Sequence, residues 1–65
     1  QLRTNGREIH VEGVPVGQPY GLYDLAGVLL SGGVSNGGTI SLSVNRPGIY
    51  IFHISGIGKK IQISK

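Results

Sequence analysis

Three side chains near the start of the chain are of types that could support acid–base or metal chemistry: Glu8, His10 and Glu12. Their two-residue spacing puts all three on one face of a β-strand. A metal site usually needs three or four converging ligands held by further hydrogen bonds, and paired-carboxylate hydrolysis needs two acids that flank a substrate bond. A flat strand face favours neither arrangement. We therefore interpret these residues as a solvent-exposed face and predict no metal ligand, no cofactor and no catalytic residue.

The other candidates for chemistry have simpler structural interpretations. His53 alternates with Ile49 and Ile51, as expected for a residue in a sheet. Residues 56–60 have a Gly-Lys pair, but a phosphate-binding loop needs glycine five residues before that pair, where His53 stands, and Ser or Thr after Lys59. A hairpin turn explains these glycines better. With no pairing of a nucleophile with a base, the chain is predicted not to be an enzyme.

Composition limits the remaining classes of function. The chain has 65 residues, no cysteine, and six Lys or Arg against three Asp or Glu, which gives a net charge of +3. Three of the cations are Lys59, Lys60 and Lys65, but no aromatic residue follows Phe52, so this basic end lacks the stacking platform of a nucleic-acid module. No apolar run is long enough to insert into a membrane, and no signal segment opens the chain. We expect one soluble domain over residues 1–65, in which residues 1–4 form a short first strand or the end of a linker.

Alternation of apolar and polar residues runs through most of the chain, with Gly, Pro, Asn and Asp at short intervals. About seven short strands are predicted, and with them an all-β, immunoglobulin-like antiparallel sandwich. The predicted strands cover residues 2–4, 7–12, 20–24, 28–31, 39–44, 49–55 and 59–64. The predicted core consists of Ile9, Val11, Leu22, Ile40, Leu42, Tyr50, Phe52, Ile54, Ile61 and Ile63.

Turn chemistry separates these strands. Asp24 and Gly27 suit the first and last positions of a hairpin turn. Asn5-Gly6 and Asn36-Gly37 favour positive φ, and residues 45–48 place a proline and then a glycine where a turn needs them. We therefore expect the chain to turn at all four places.

The order of these pieces is more specific than any one of them. A hairpin with Tyr23, Asp24 and Gly27 is followed by a strand that begins with Gly48 and Tyr50 in a Gly-x-Tyr motif, and a basic strand ends the chain. Over roughly residues 7–65, this order resembles the type A C-terminal sorting domains of the type IX secretion system of Bacteroidota. Val28 differs from the family, which often has a basic residue directly after the hairpin glycine.

The resemblance implies a secretion signal. Such a domain lies downstream of a covalently attached cargo and directs it through the periplasm and across the outer membrane, where the cargo is secreted or held on the cell surface. The implied partners are the outer-membrane translocon, a shuttle protein and a sortase-like protease that can remove the domain. The implied family motif is Tyr23, Asp24, Gly27, Gly48 and Tyr50. The implied binding segment for the machinery consists of Lys59, Lys60, Ile61, Gln62, Ile63, Ser64 and Lys65.

Two other functions are compatible with the same sequence. One is an adhesion or carbohydrate-binding β-sandwich, although few of the aromatic residues are expected to be exposed. The other is a structural cap on a larger secreted enzyme. Glycan binding by the isolated domain would indicate the first, and a secreted but unstable enzyme after deletion would indicate the second.

Overall fold

The computed structural model describes residues 1–64 and consists of antiparallel β-strands joined in a single curled sheet. The prediction of an all-β fold is confirmed. The strands are β1 (Leu2–Asn5), β2 (Glu8–Asp24), β3 (Leu29–Ser43), β4 (Gly48–Ile54) and β5 (Ile57–Ile63). Within the described residues, no helix is present that could cross a membrane. The strand order is β1-β2-β4-β5, and β3 pairs with the other edge of β2.

Residues 1–64 form five strands rather than the seven short ones expected. The predicted strands over residues 7–12 and 20–24 are parts of one continuous strand, β2, except that residue 7 belongs to the preceding turn. The predicted strands over residues 28–31 and 39–44 lie largely in β3. Residues 13–19 separate the first two of these predicted strands, and Gly13 and Gly17 in this segment have positive φ. The pairing of β2 with β3 shifts register here but continues. Bulges of this kind bend a strand and increase its twist. Gly13 and Gly17, which in the sequence suggest a turn between two strands, therefore lie at bulges within one strand.

The expected turn at Asn36-Gly37 is wrong for the same reason. Asn36 pairs with Val16 and Gly38 pairs with Val14, so β3 continues through this segment without a turn. Positive φ does occur, at Gly37 and Gly38, but it accompanies the bulges of β2. The first turn is also displaced by one residue, since Asn5 is the last residue of β1.

A buried serine stabilises the bend. The hydroxyl group of Ser35 donates a hydrogen bond to the backbone carbonyl of Pro15 and accepts one of 3.0 Å from the backbone N–H of Gln18. Both partners lie in the bulged part of β2, where regular ladder bonds are interrupted. Ser35 thus satisfies backbone groups that the bend would otherwise leave unpaired.

The bend divides the sheet into two halves. The first half contains β1, residues 8–12 of β2 and residues 39–43 of β3, and the second contains residues 20–24 of β2, residues 29–33 of β3, β4 and β5. One core lies between them, because its buried side chains come from both halves. It consists of Ile9, Val11, Leu22, Ile40, Val44, Tyr50, Phe52, Ile61 and Ile63. The predicted core is therefore largely confirmed, and Leu42 and Ile54 are half-buried at its margin.

The final hairpin leaves β5 on an edge of the sheet. Ser55 and Gly56 both have positive φ, which is the type I′ geometry that joins two strands by a two-residue turn. Within residues 1–64, β5 pairs only with β4, and β4 lies between β5 and β2 as its apolar sequence predicts. One side of the β5 backbone therefore faces away from the sheet.

Candidate recognition surface

The carboxylate of Asp24 holds the hairpin between β2 and β3. Its Oδ1 accepts hydrogen bonds from the backbone N–H groups of Ala26 (3.0 Å) and Val28 (2.9 Å). The Gly27 N–H donates to the Asp24 carbonyl, and the Asp24 N–H donates to the Val28 carbonyl, each at 3.0 Å. Gly27 has a φ of 87°, which side chains disfavour. Of the implied family motif, Asp24 and Gly27 thus have structural roles in this turn.

Tyr50 anchors the loop that leads into β4. Its ring is buried, and its hydroxyl group donates a hydrogen bond of 2.6 Å to the backbone carbonyl of Arg46. Tyr50 also lies directly opposite Asp24 in the pairing of β4 with β2. Gly48, two residues earlier, begins β4 with a φ of 155°. A tyrosine that bonds back to the chain upstream is also found at a corner of immunoglobulin domains.

The terminal strand alternates between the core and solvent. Ile61 and Ile63 are buried, whereas Lys60 and Gln62 lie on the opposite, outer face of β5. Lys59 is exposed but lies opposite Phe52, on the face of β5 that borders the core. The two lysines therefore point to different faces of one strand. Ser64 is exposed, and Lys65, the last residue of the implied binding segment, lies outside the described residues.

The second half brings most of the motif to one end of the molecule. Strand β2 ends at Asp24, β4 begins at Gly48 and β5 ends at Ile63, and these antiparallel strands are neighbours. A polar cleft of about 270 Å³ at this end is lined by Asp24, Arg46 and Tyr50 among others. Residues that are distant in sequence thus meet where the last strand ends.

The outer face of the second half carries a row of side chains across four strands. Tyr23 lies opposite Leu29 of β3 on one side and Ile51 of β4 on the other, and Ile51 lies opposite Lys60 of β5. Paired residues project from the same face of a sheet. The row therefore joins Tyr23, from the implied motif, to Lys60, from the implied binding segment.

The exposed aliphatic residues at the hairpin tip were not predicted from the sequence. Leu25, Val28, Leu29 and Leu30 are 67%, 54%, 56% and 48% exposed. Alternation in the sequence predicts which face a strand residue takes, but not whether a partner layer covers that face. Four aliphatic residues around one turn were nevertheless a visible signal, because turns are usually polar.

A second missed group lies on the outer face of the first half. The Nδ1 atom of His10 is 3.2 Å from the hydroxyl oxygen of Ser41, and its Nε2 atom is 3.3 Å from a carboxylate oxygen of Glu8. These residue types form a catalytic triad when a substrate cleft and oxyanion donors accompany them. Here the three side chains stand on a sheet face beside a shallow depression of about 160 Å³. Among residues 1–64, no cluster of three His, Asp or Glu side chains could hold a metal ion.

Comparison with models of protein families, with curated proteins and with solved structures found no match to this chain.

Proposed function

We propose that the chain is a sorting domain that directs an attached cargo protein through the type IX secretion system across the outer membrane. The observation that supports this function best is the convergence of Asp24, Gly27, Gly48 and Tyr50 at the end of the second half where β5 ends. In the resembling family, these positions form the shared motif. Their meeting in space gives a recognition signal a defined shape, which scattered residues would not.

In this proposal, the secretion machinery binds the free backbone edge of β5. The two-residue turn makes Ile54 and Ile57 exchange both backbone hydrogen bonds, and alternation then directs the N–H and C=O groups of Lys60 and Gln62 away from β4. An edge of this kind can accept a strand from a receptor. Lys60 adds a positive charge beside it. The translocon, the shuttle protein and the sortase-like protease are the partners proposed for this edge.

The proposal includes an immunoglobulin-like architecture in which the two halves of the sheet serve as the two layers of a sandwich. The shared core and the hydrogen bond from Tyr50 to the Arg46 carbonyl support this assignment. The long strands β2 and β3 would then each contribute to both layers. The cargo would be secreted or displayed on the cell surface, with the domain removed afterwards.

The test uses the parent protein in its native cell, with cargo at the surface as the readout. Gln62→Pro removes a backbone N–H from the open edge of β5, a position where proline is tolerated. Thr4→Pro is the matched control: Gln1 exchanges backbone bonds with Glu12, so alternation directs the Thr4 N–H to the free edge of β1. We expect Gln62→Pro, but not Thr4→Pro, to retain the cargo in the periplasm.

A second pair of variants tests the charge. Lys60→Ser and Arg3→Ser each remove one exposed cation, on β5 and β1 respectively, and exposed changes usually alter stability little. We expect slower export with Lys60→Ser only. If Gln62→Pro and Lys60→Ser both fold and their cargo reaches the surface at the parental rate, recognition through this edge is contradicted. If the cargo is still exported after the whole domain is deleted, the sorting function is contradicted.

A further inference from the structure

A groove of about 620 Å³ lies between the two halves of the sheet, where β1 begins and where β4 turns into β5. We define this apolar groove by six of its lining residues: Leu2, Val11, Val14, Phe52, Ile54 and Ile57. Val11 and Phe52 belong to the core. The other four are only partly buried or exposed, and Ile57 is 58% exposed. The core therefore reaches the surface here, and a further apolar side chain in the groove would extend it.

The backbone of Gln1 directs the upstream chain towards the apolar groove. The backbone nitrogen of Gln1 donates a hydrogen bond of 2.9 Å to the carbonyl of Glu12, and the Gln1 carbonyl accepts one of 2.8 Å from the Glu12 N–H. Because β1 is antiparallel to β2, extended residues before Gln1 would lie beside the residues of β2 that follow Glu12. Those residues, Gly13, Val14 and Pro15, all line the groove, as does Gln1 itself. An extended segment attached at Gln1 therefore starts at the groove.

Strand alternation selects which upstream side chains would enter the groove. Leu2 lies opposite the buried Val11 and packs against the core, whereas Gln1 is exposed. Every second residue of a strand projects from the same face. The residue directly before Gln1, and the one two positions earlier, would therefore share the face of Leu2. Apolar residues at these two positions would face the groove, and the residue between them would face solvent.

We propose that the segment joining the cargo to Gln1 continues β1 and places an apolar side chain in the apolar groove. The inference rests on the proposed function in one respect, that a cargo is attached upstream of Gln1. Covalent attachment gives a short segment an effective concentration at the groove on the order of mM. A small apolar contact is then enough to keep the segment docked. The occupant of the groove is thus part of the same polypeptide.

A strand from a separate protein fits the groove less well. Such a strand loses its free translation and rotation when it binds, a cost that an attached segment does not have. It would also compete with the upstream chain for the place beside residues 13–15, which the pairing of Gln1 with Glu12 directs that chain towards. The attached segment is therefore the favoured occupant.

Docking in this groove would leave the family motif accessible. The groove lies at the turn between β4 and β5, next to Ile54 and Ile57. The cleft lined by Asp24 and Tyr50 lies at the other end of the same strands, where β5 ends. The cargo would thus be joined to the domain at the end opposite the cleft.

The first test compares two extensions of this chain that differ only in register. One adds Ser-Val-Ser-Val directly before Gln1, and the other adds Val-Ser-Val-Ser, so that length and composition are equal. Valine takes the groove-facing positions in the first extension, and serine takes them in the second. We expect the first to melt about 4–8 °C higher, the shift that corresponds to partial burial of one valine side chain in a domain of this size. Thermal unfolding followed by circular dichroism measures the difference.

A matched pair of variants connects this difference to the groove. Ile57→Ser removes an apolar residue of the groove and should reduce the difference between the two extensions by at least half. Val34→Ser is the control, because Val34 is an aliphatic residue of similar exposure, 66%, that does not line the groove. It should leave the difference unchanged. Equal melting temperatures of the two extensions, or a difference that persists in Ile57→Ser, would overturn docking in the groove.

The second test measures hydrogen exchange of the native segment in the parent protein. We expect the amides of about three residues directly before Gln1 to exchange at least tenfold more slowly than in the parent with Ile57→Ser, because the continued strand is held by the groove. Exchange as fast as in an unstructured chain would overturn the proposal and leave the sorting function intact. Export of the cargo after deletion of the domain would contradict the sorting function and leave the melting comparison unaffected.

The other occupants have their own outcomes. A melting difference that grows with protein concentration would assign the groove to the segment of a second copy. Equal stabilisation of the unextended chain by free Ser-Val-Ser-Val peptide at millimolar concentration would assign it to a strand from a separate protein. Either result would overturn docking by the attached segment.

Discussion

The hydroxyl group of Tyr50 hydrogen-bonds to the backbone carbonyl of Arg46, four residues upstream in the loop before β4. The same ring lies in the core, opposite Asp24 of β2. Tyr50 thus links the β3–β4 loop to the strand that ends at the hairpin tip. Removing its hydroxyl group separates this link from the packing of the ring.

We therefore expect Tyr50→Phe to lower the free energy of unfolding by about 1 kcal/mol, the usual value of a hydrogen bond of this kind. Urea denaturation measures the change. Tyr23→Phe is the control: its ring lies on the outer face, and no hydrogen bond of its hydroxyl group is seen among residues 1–64, so its stability should be that of the parent. Equal stability of both variants would mean that the loop is held by other contacts.

Phe52 is the largest side chain of the core that is fully buried, at 1% exposure. Phe52→Ala should cost roughly 3–5 kcal/mol and unfold most of the domain at room temperature. Ile57→Ala is the control, because Ile57 is 58% exposed on the next strand. Thermal unfolding followed by circular dichroism distinguishes the two, and a Phe52→Ala variant that melts like the parent would contradict the core assignment.

We expect Asp24 to stabilise the hairpin mainly as a hydrogen-bond acceptor, because its Oδ1 atom accepts two backbone N–H groups of the turn. Asp24→Ala removes the acceptor of the Ala26 and Val28 N–H groups and should destabilise the domain by about 1–2 kcal/mol. Asp24→Asn keeps a carbonyl oxygen in the same place and should lose less than half of that. Equal losses in the two variants, measured by urea denaturation, would show that the charge matters instead.

The group formed by Ser41, His10 and Glu8 should be catalytically inert, because the three side chains stand on a sheet face beside a shallow depression of about 160 Å³ rather than in a substrate cleft. Hydrolysis of p-nitrophenyl acetate by the chain should match that of free imidazole at equal concentration, and Ser41→Ala should leave it unchanged. Zinc should not bind stoichiometrically. Activity lost in Ser41→Ala, or zinc binding lost in His10→Ala, would contradict this interpretation.

The sequence predicts the buried faces well because burial on one side of a strand imposes alternation. Tyr50, Phe52, Ile61 and Ile63 are all where that rule places them. It fails at Gly13 and Gly17, since a glycine with positive φ serves equally in a turn or in a bulge. The outcome depends on whether another strand stays paired across the glycine. Here β3 stays paired, and its Gly37 and Gly38 have positive φ opposite the bulged part of β2.

The candidate surface shows the same limit. The hairpin of Asp24 and Gly27 follows from local turn chemistry, and the structure has it in the expected place. The approach of Ser41 to His10 and the row from Tyr23 to Lys60 depend on which residues of different strands lie opposite each other. Register of this kind is decided by packing over the whole sheet, so no single segment of sequence contains it.

The strand pairing also determines how the domain would respond to tension. A pull on Gln1 acts on β1, which is attached to the sheet through four residue pairs, whereas β5 is attached through seven. Mechanical load at this end would therefore peel β1 away first and leave the pairing of β2, β4 and β5 in place. An unfolding force transmitted through Gln1 would thus uncover the backbone edge of residues 8–11 while the hairpin tip and the end of β5 keep their shape.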